Sequence, residues 1–234
     1  MENGSLRGAQ AREFFLVVRV TRCVSFRPIR SARCLVMLKN LFNEKKAAQA
    51  AYFLFRADGP LSVLKLMKLL YLAERRSFEK FGEPMIGDRP VSMPHGPVLS
   101  YTYNHMNGEL PSVEGGWDFW IADRAEHDLA LRDPNSLRSP EQDLLELSDA
   151  DVGILSDIWD QFGGMDQWEL RDYTHDHCPE WKDPEGSMVP MRPEDFFDAL
   201  KFTPEQREAA MAKLRAEDEI NLAFATSSSL SQQN

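Results

Sequence analysis

The sequence predicts a mostly α fold, an α+β arrangement in which helices dominate and one small β-hairpin is inserted. Three observations lead there. Apolar residues recur at helical spacing over much of the chain from residue 41 onward; four helix starts carry a capping residue with an acidic or amide side chain three positions later; and a single pair of short alternating segments lies between the helices. With 234 residues, 43% of them apolar, the chain is one domain's worth and can bury a core without disulfides or a structural metal. The expected division is an N-terminal extension over 1–36, a domain over 37–225 and a disordered polar tail over 226–234.

Residues 41–57 have helix-forming composition, with Leu41, Ala48, Ala51, Tyr52 and Phe55 near one face, and Asp58-Gly59-Pro60 stops them. Ser62 then caps a second helix in which Val63, Leu66, Leu70, Ala73 and Ser77 form a stripe that Leu64, Met67 and Leu69 broaden. A helix apolar over most of its circumference belongs at the centre of a fold. Its basic residues, Lys65, Lys68, Arg75, Arg76 and Lys80, are expected to form its one solvated stripe.

Glycines and prolines over 82–97 exclude a continuous helix, and Val91 and Met93 suit one short edge strand. Gly96-Pro97 reads as a helix start, proline at the first position losing no hydrogen bond, with Val98, Tyr101 and His105 on one face and Asn107-Gly108 at the end. Residues 117–121 and 128–131 alternate and read as the two strands of a hairpin, closed by Asp133-Pro134-Asn135. Ser139-Pro140-Glu141-Gln142 and Thr203-Pro204-Glu205-Gln206 are matching helix starts, and Ser148 to Asp151 and Asp166 to Glu169 are weaker versions of the same box. Val152, Leu155, Trp159 and Phe162 share the face of a helix that ends at Gly163-Gly164.

Charge narrows the function. Lys and Arg total 27 against 37 Asp and Glu, a net charge of −10, which argues against a protein that coats phosphate backbone. Residues 1–36 hold seven arginines against Glu2 and Glu13, a local +5 that leaves −15 on the remaining 198. Three readings of this segment stay open: a disordered or non-native extension with translation starting at Met37, a functional basic arm, or an organelle-targeting sequence. The abrupt charge shift and the helical sequence after Met37 favour the first. Cys23, Cys34 and Cys178 are widely spaced and read as free thiols of a reducing cytoplasm, and no apolar run is long enough to span a membrane.

Two clusters hold residues of catalytic type. His175, His177 and Cys178, with His95 as a distant fourth, carry metal-ligating groups, but one contiguous peptide would need ligands from elsewhere and no HExxH or CxxC pair is present. His95 and Ser100 lie near a predicted helix start, yet the serine has no GxSxG elbow and no acid is placed to orient the histidine. The bland readings are a helix end and a rigid turn. No cofactor is expected and no enzymatic activity; a metal-dependent enzyme using His175, His177 and Cys178 stays as the alternative from another class.

One ordered series of motifs is more specific than any of its parts. Lys65-Leu66-Met67-Lys68-Leu69-Leu70-Tyr71-Leu72-Ala73, Gly82-Glu83-Pro84-Met85, His95-Gly96-Pro97-Val98-Leu99-Ser100 with Tyr103, then Trp168-Glu169-Leu170 and Thr174-His175 ahead of Trp181, resembles the SocA-like Panacea domain antitoxin family, which also includes phage-associated GepA proteins. The resemblance covers about residues 44–185. One departure is Met93-Pro94-His95, where many members place an aromatic before the Gly-Pro-Val. The resemblance implies an antitoxin whose partners are a cognate, SocB-like toxin and the ClpX unfoldase of ClpXP, the chain serving as a proteolytic adaptor; occlusion of the toxin without proteolysis is the alternative. It also implies partner-binding roles for His95, Gly96, Pro97, Ser100, Tyr103, His175 and Trp181. Trp117 and Trp120 join them as expected exposed anchors, tryptophan being favoured at interface hot spots; the competing reading is that they cover the core.

Overall fold

The computed structural model describes residues 40–231; the extension expected over 1–36 lies outside the described residues. The architecture is mostly helical with two small antiparallel sheets. Helices α1 (Glu44–Ala50) and α2 (Tyr52–Ala57) replace the single helix expected over 41–57, with Ala51 between them ending one and starting the other. Asn43 caps α1, its Oδ1 accepting from the Lys46 N–H at 3.0 Å, and Asp58 closes α2 in the left-handed conformation.

Strand β1 (Leu61–Ser62) leads directly into α3 (Val63–Phe81), where the Ser62 hydroxyl accepts from the Lys65 N–H and Gly82, at φ +72°, ends the helix. Twelve of the nineteen residues of α3 are buried, so the central placement read from its apolar circumference holds. Strands β2 (Pro90–Met93) and β3 (Gly96–Leu99) pair antiparallel with Val91 opposite Val98, and helix α4 (Ser100–Met106) follows. Two expectations fail here. β2 is the middle strand of its sheet rather than an edge, flanked by β3 and a later strand, and the helix begins at Ser100, three residues beyond Pro97.

The physical reason lies outside the local sequence. The buried Asp88 carboxylate accepts from the Tyr101 N–H at 2.9 Å and from the Thr102 N–H and hydroxyl at 2.8 and 2.6 Å, which supplies the helix with an N-terminal partner from twelve residues upstream. Gly96 and Pro97 are thereby left free to extend into the sheet.

The expected hairpin is also corrected. Residues Trp117–Trp120 form a helical turn, α5, whose first N–H donates to Glu44 Oε1 at 2.9 Å, so its conformation is set from α1. β4 (Asp128–Leu129) pairs with β1, while the two expected strands meet only through an Ile121–Leu131 bridge. Helix α6 (Pro140–Asp143) is a single turn. Helices α7 (Asp149–Phe162) and α8 (Gln167–His177) both start with complete capping boxes, at Ser148 with Asp151 and at Asp166 with Glu169.

Strand β5 (Val189–Pro190) adds to β2, and α9 (Pro193–Ala199) inserts Phe196 and Phe197 against Phe78 of α3, with ring centroids 4.7 and 5.9 Å away. Thr203 and Gln206 start α10 (Pro204–Ser231), and this helix continues through residues 226–231, where composition led us to expect a disordered tail. The core gathers around α3, which packs against α7, α8, β3 and α9.

Candidate functional site

The β2–β3 turn and the end of α8, far apart in sequence, meet on the side of α3 that carries Lys68. Lys68 is expected on a solvated stripe but is fully buried, because the side of α3 that carries it is covered by β3 and α8. Its Nζ donates to the Pro97 carbonyl at 2.6 Å, and burial lowers its pKa to about 7. One turn on, the buried Tyr71 hydroxyl and the Arg75 Nε donate to the same oxygen of Glu180, Oε1, at 2.6 and 2.7 Å. The Glu180 side chain is wholly enclosed and its second oxygen, Oε2, has no hydrogen-bond partner. Burial, and then the Glu180 charge, push the neighbouring Cys178 thiol up to about 12.

Over this network lies a stacked pair. The His175 and Trp181 rings sit 4.0 Å apart at 8°, and the Trp181 Nε1 donates to the Met93 carbonyl, tying the loop after α8 to β2. Burial, followed by the Lys68 charge, lowers the His175 pKa, and its buried Nε2 has no partner. Gly96 lies where these groups converge. Its φ is +90°, and a Cβ there would come within 2.8 Å of Lys68 Nζ, 2.9 Å of Thr174 Oγ1 and 3.1 Å of His175 Nε2. Glycine is required at this point by both conformation and space.

A second buried carboxylate shapes the loop between α3 and β2. Glu74 accepts from the N–H groups of Met85, Ile86 and Gly87 at 2.9, 2.8 and 3.0 Å. Burial pushes its pKa up to about 7 against these three donors. The Gly82-Glu83-Pro84-Met85 motif thus leads into a loop folded around a carboxyl group supplied by the helix before it.

Beside the β2–β3 turn opens a cavity of about 440 Å³, within the size range of ligand sites. Leu64 and Met67 of α3, Val98 of β3, Tyr103 of α4 and Trp168 of α8 form apolar walls, and Trp168 is 48% exposed at the edge. His95, Arg124 and His127 also line it, and no acidic residue takes part.

The candidates read from sequence separate into three groups. His95 and Tyr103 line the cavity, with His95 exposed on the turn. Gly96, Pro97, His175 and Trp181 belong to the layer that meets Lys68 and the β2–β3 turn. Ser100, Trp117 and Trp120 are elsewhere. Ser100 opens α4 with its N–H donating to the Arg89 carbonyl, and Trp117 and Trp120, expected as exposed anchors, are 2% and 9% exposed and cover the core.

The candidate metal ligands do not converge. The His177 ring stacks on Tyr173 at 4.3 Å, His175 faces Trp181 and Cys178 is buried, and among the described residues no group of three or more His, Cys, Asp or Glu is placed to hold a metal ion. The residues that the sequence reading passed over as site components are Lys68, Glu180, Arg124 and His127. For Lys68 a signal existed, since a polar residue on a helix apolar nearly all round needs a partner. Arg124 and His127 sit in a polar loop that carried none.

Two comparisons are empty: no curated protein and no solved structure matches the chain. The model of the antitoxin SocA-like, Panacea domain matches residues 66–182, half of the chain and the span that contains both the buried network and most of the cavity lining. An antitoxin family implies a cognate toxin as partner. By that match, over the same residues whose motifs converge on α3, the chain belongs to the SocA-like Panacea domain antitoxin family.

Proposed function

We propose that this protein neutralises its cognate toxin as a proteolytic adaptor, binding the toxin and presenting it to the ClpXP protease. The observation that carries the binding half is the open, largely apolar cavity at the point where the family's motifs meet, rimmed by Trp168 and His95. An apolar concavity with a partly exposed tryptophan at its edge is the kind of surface that anchors a protein partner. The buried network behind it serves to hold the turn and α8 in place, so the domain acts by binding and has no catalytic step of its own.

An adaptor also needs a second surface, engaged while the first is occupied, so that tethering raises the local concentration of toxin at the protease. α10 is built apart from the cavity and exposes Ile220 and Leu222, 54% and 52% accessible, among Glu217, Asp218 and Glu219. The reading is tested by following toxin half-life with and without this protein, in cells with and without ClpX. A half-life shortened only when both are present is the expected result. Growth rescue with an unchanged half-life rejects the adaptor step and leaves occlusion.

A further inference from the structure

The lining of the cavity differs in charge from the domain as a whole. Residues 37–234 carry −15, yet the lining of this cavity holds one arginine, two histidines and no carboxylate. Arg124 is held in place by its neighbours: its Nε donates to the Glu126 carbonyl at 2.5 Å, its Nη1 to Asn107 Oδ1 at 2.7 Å, and its Nη2 lies 3.0 Å from His127 Nδ1. A guanidinium has five N–H groups, so two remain. Among the described residues no carboxylate approaches Arg124 within ion-pair distance, although Arg56, Arg75, Arg132, Arg138 and Arg192 each have one. Asp166 and Glu169, which flank the lining residues Gln167 and Trp168, are committed to the start of α8, Asp166 accepting from the Trp168 and Glu169 N–H groups and Glu169 from the Asp166 N–H.

We infer that the cavity between α3, α8 and the β2–β3 turn receives a segment of the partner protein in which a bulky apolar side chain lies next to a carboxylate, the side chain filling the space walled by Leu64, Met67 and Trp168 and the carboxylate meeting Arg124. That the occupant is a protein segment rests on the antitoxin reading; its chemistry rests on the walls and the rim. A guanidinium already oriented by three contacts loses little further freedom on pairing, and its fork matches a carboxylate better than an ammonium would. An acidic segment is otherwise repelled by this domain, so an arginine without a carboxylate partner at one apolar opening selects both the place and the sequence.

The test uses the full-length protein and a fluorescein-labelled peptide, Ser-Glu-Phe-Leu-Asp-Ser, with a control in which both acids are lysine, read by fluorescence anisotropy. The acidic peptide is expected to bind, and Arg124→Glu and Trp168→Ala, both at exposed positions, each to weaken it about tenfold or more. The lysine peptide is expected to bind Arg124→Glu better than the unaltered protein. Equal binding of the two peptides, affinities unchanged in both variants, or no saturation by either peptide overturns the inference. So does binding of N-acetylphenylalanine as tight as that of the peptide, which would mark a small-molecule carboxylate pocket. Growth rescue from the cognate toxin, scored in the same variants, separates the two readings. Rescue that survives Arg124→Glu overturns the cavity inference and leaves the antitoxin reading standing; peptide binding as expected with no neutralisation supports the cavity and removes the antitoxin reading.

Discussion

Of the nineteen residues of α3 twelve are buried, whereas α10, with twenty-eight, buries only Ala210, Met211 and Leu214 among its described side chains. α3 meets other elements round most of its circumference, so its Lys68 and Glu74 are desolvated and each needs a partner from another element. α10 meets α9 and keeps most of its charges at the surface, where Lys213 pairs with Glu83 and Asp218 accepts from the Asn40 N–H. The first helix exists because of what surrounds it, the second because of its own cap and composition. The family match falls on the same line, beginning inside α3 and ending at residue 182, before α9 and α10. The family model thus covers the part in which charge is enclosed.

The sharpest way to break this contrast is at Glu180. Glu180→Ala leaves Arg75 and the Tyr71 hydroxyl without their shared acceptor and is expected to cost about 3–5 kcal/mol in chemical denaturation. A loss under about 1 kcal/mol would show that the network is not enclosed as described. Gly96→Ala is expected to cost roughly 1–3 kcal/mol, because alanine resists φ +90° and its Cβ meets Lys68 and Thr174.

Lys68 gives a change of slope instead of level. Its native pKa lies near 7, below the ordinary 10.5, so from pH 7 upward the unfolded chain binds a proton that the native state lacks, and stability rises with pH. Below about pH 7 the native state must carry the buried charge and that contribution is gone. Glu74, raised to about 7 from 4.5, acts in the window below and with the opposite slope, since there it is the native state that holds the extra proton. Lys68→Met is therefore expected to flatten the rise in Tm between about pH 7 and 8, below the range where free thiols ionise. On α10 the expectation is near silence: Leu222→Ser, at a position 52% exposed, should change stability by no more than about 0.5 kcal/mol.

Local signals in the sequence were sound where the structure is locally determined. Ser62, Ser148, Asp166 and Thr203 each accept from the N–H they were expected to hold, because a cap and its partner lie within one turn of chain. The centrality of α3 was equally legible from its broad apolar stripe. Some errors are local, since the helix expected over 41–57 breaks at Ala51 and the start at Ser139 yields the single turn of α6; the larger ones involve partners at long range. Pro97 looked like a helix start until Asp88, from across the strand pair, moved that start to Ser100; residues 117–120 alternate like a strand but are turned into a helix by Glu44. Lys68 shows the same limit at the site itself. Spacing tells which residues share a face and not what covers that face, so the need of Lys68 for a partner was legible but the Pro97 carbonyl as that partner was not.

Cys178 turns the enclosure of this region into a clock. A thiol 1% exposed and held protonated up to about pH 12 is not a nucleophile in the native state, so an alkylating reagent can reach it only when α8 and its following loop come away from α3. With Cys23 and Cys34 replaced by serine, the rate at which iodoacetamide consumes the remaining thiol would count those openings one molecule at a time. Slowing of that rate when toxin is added would date each visit of the partner, without any label on the partner at all.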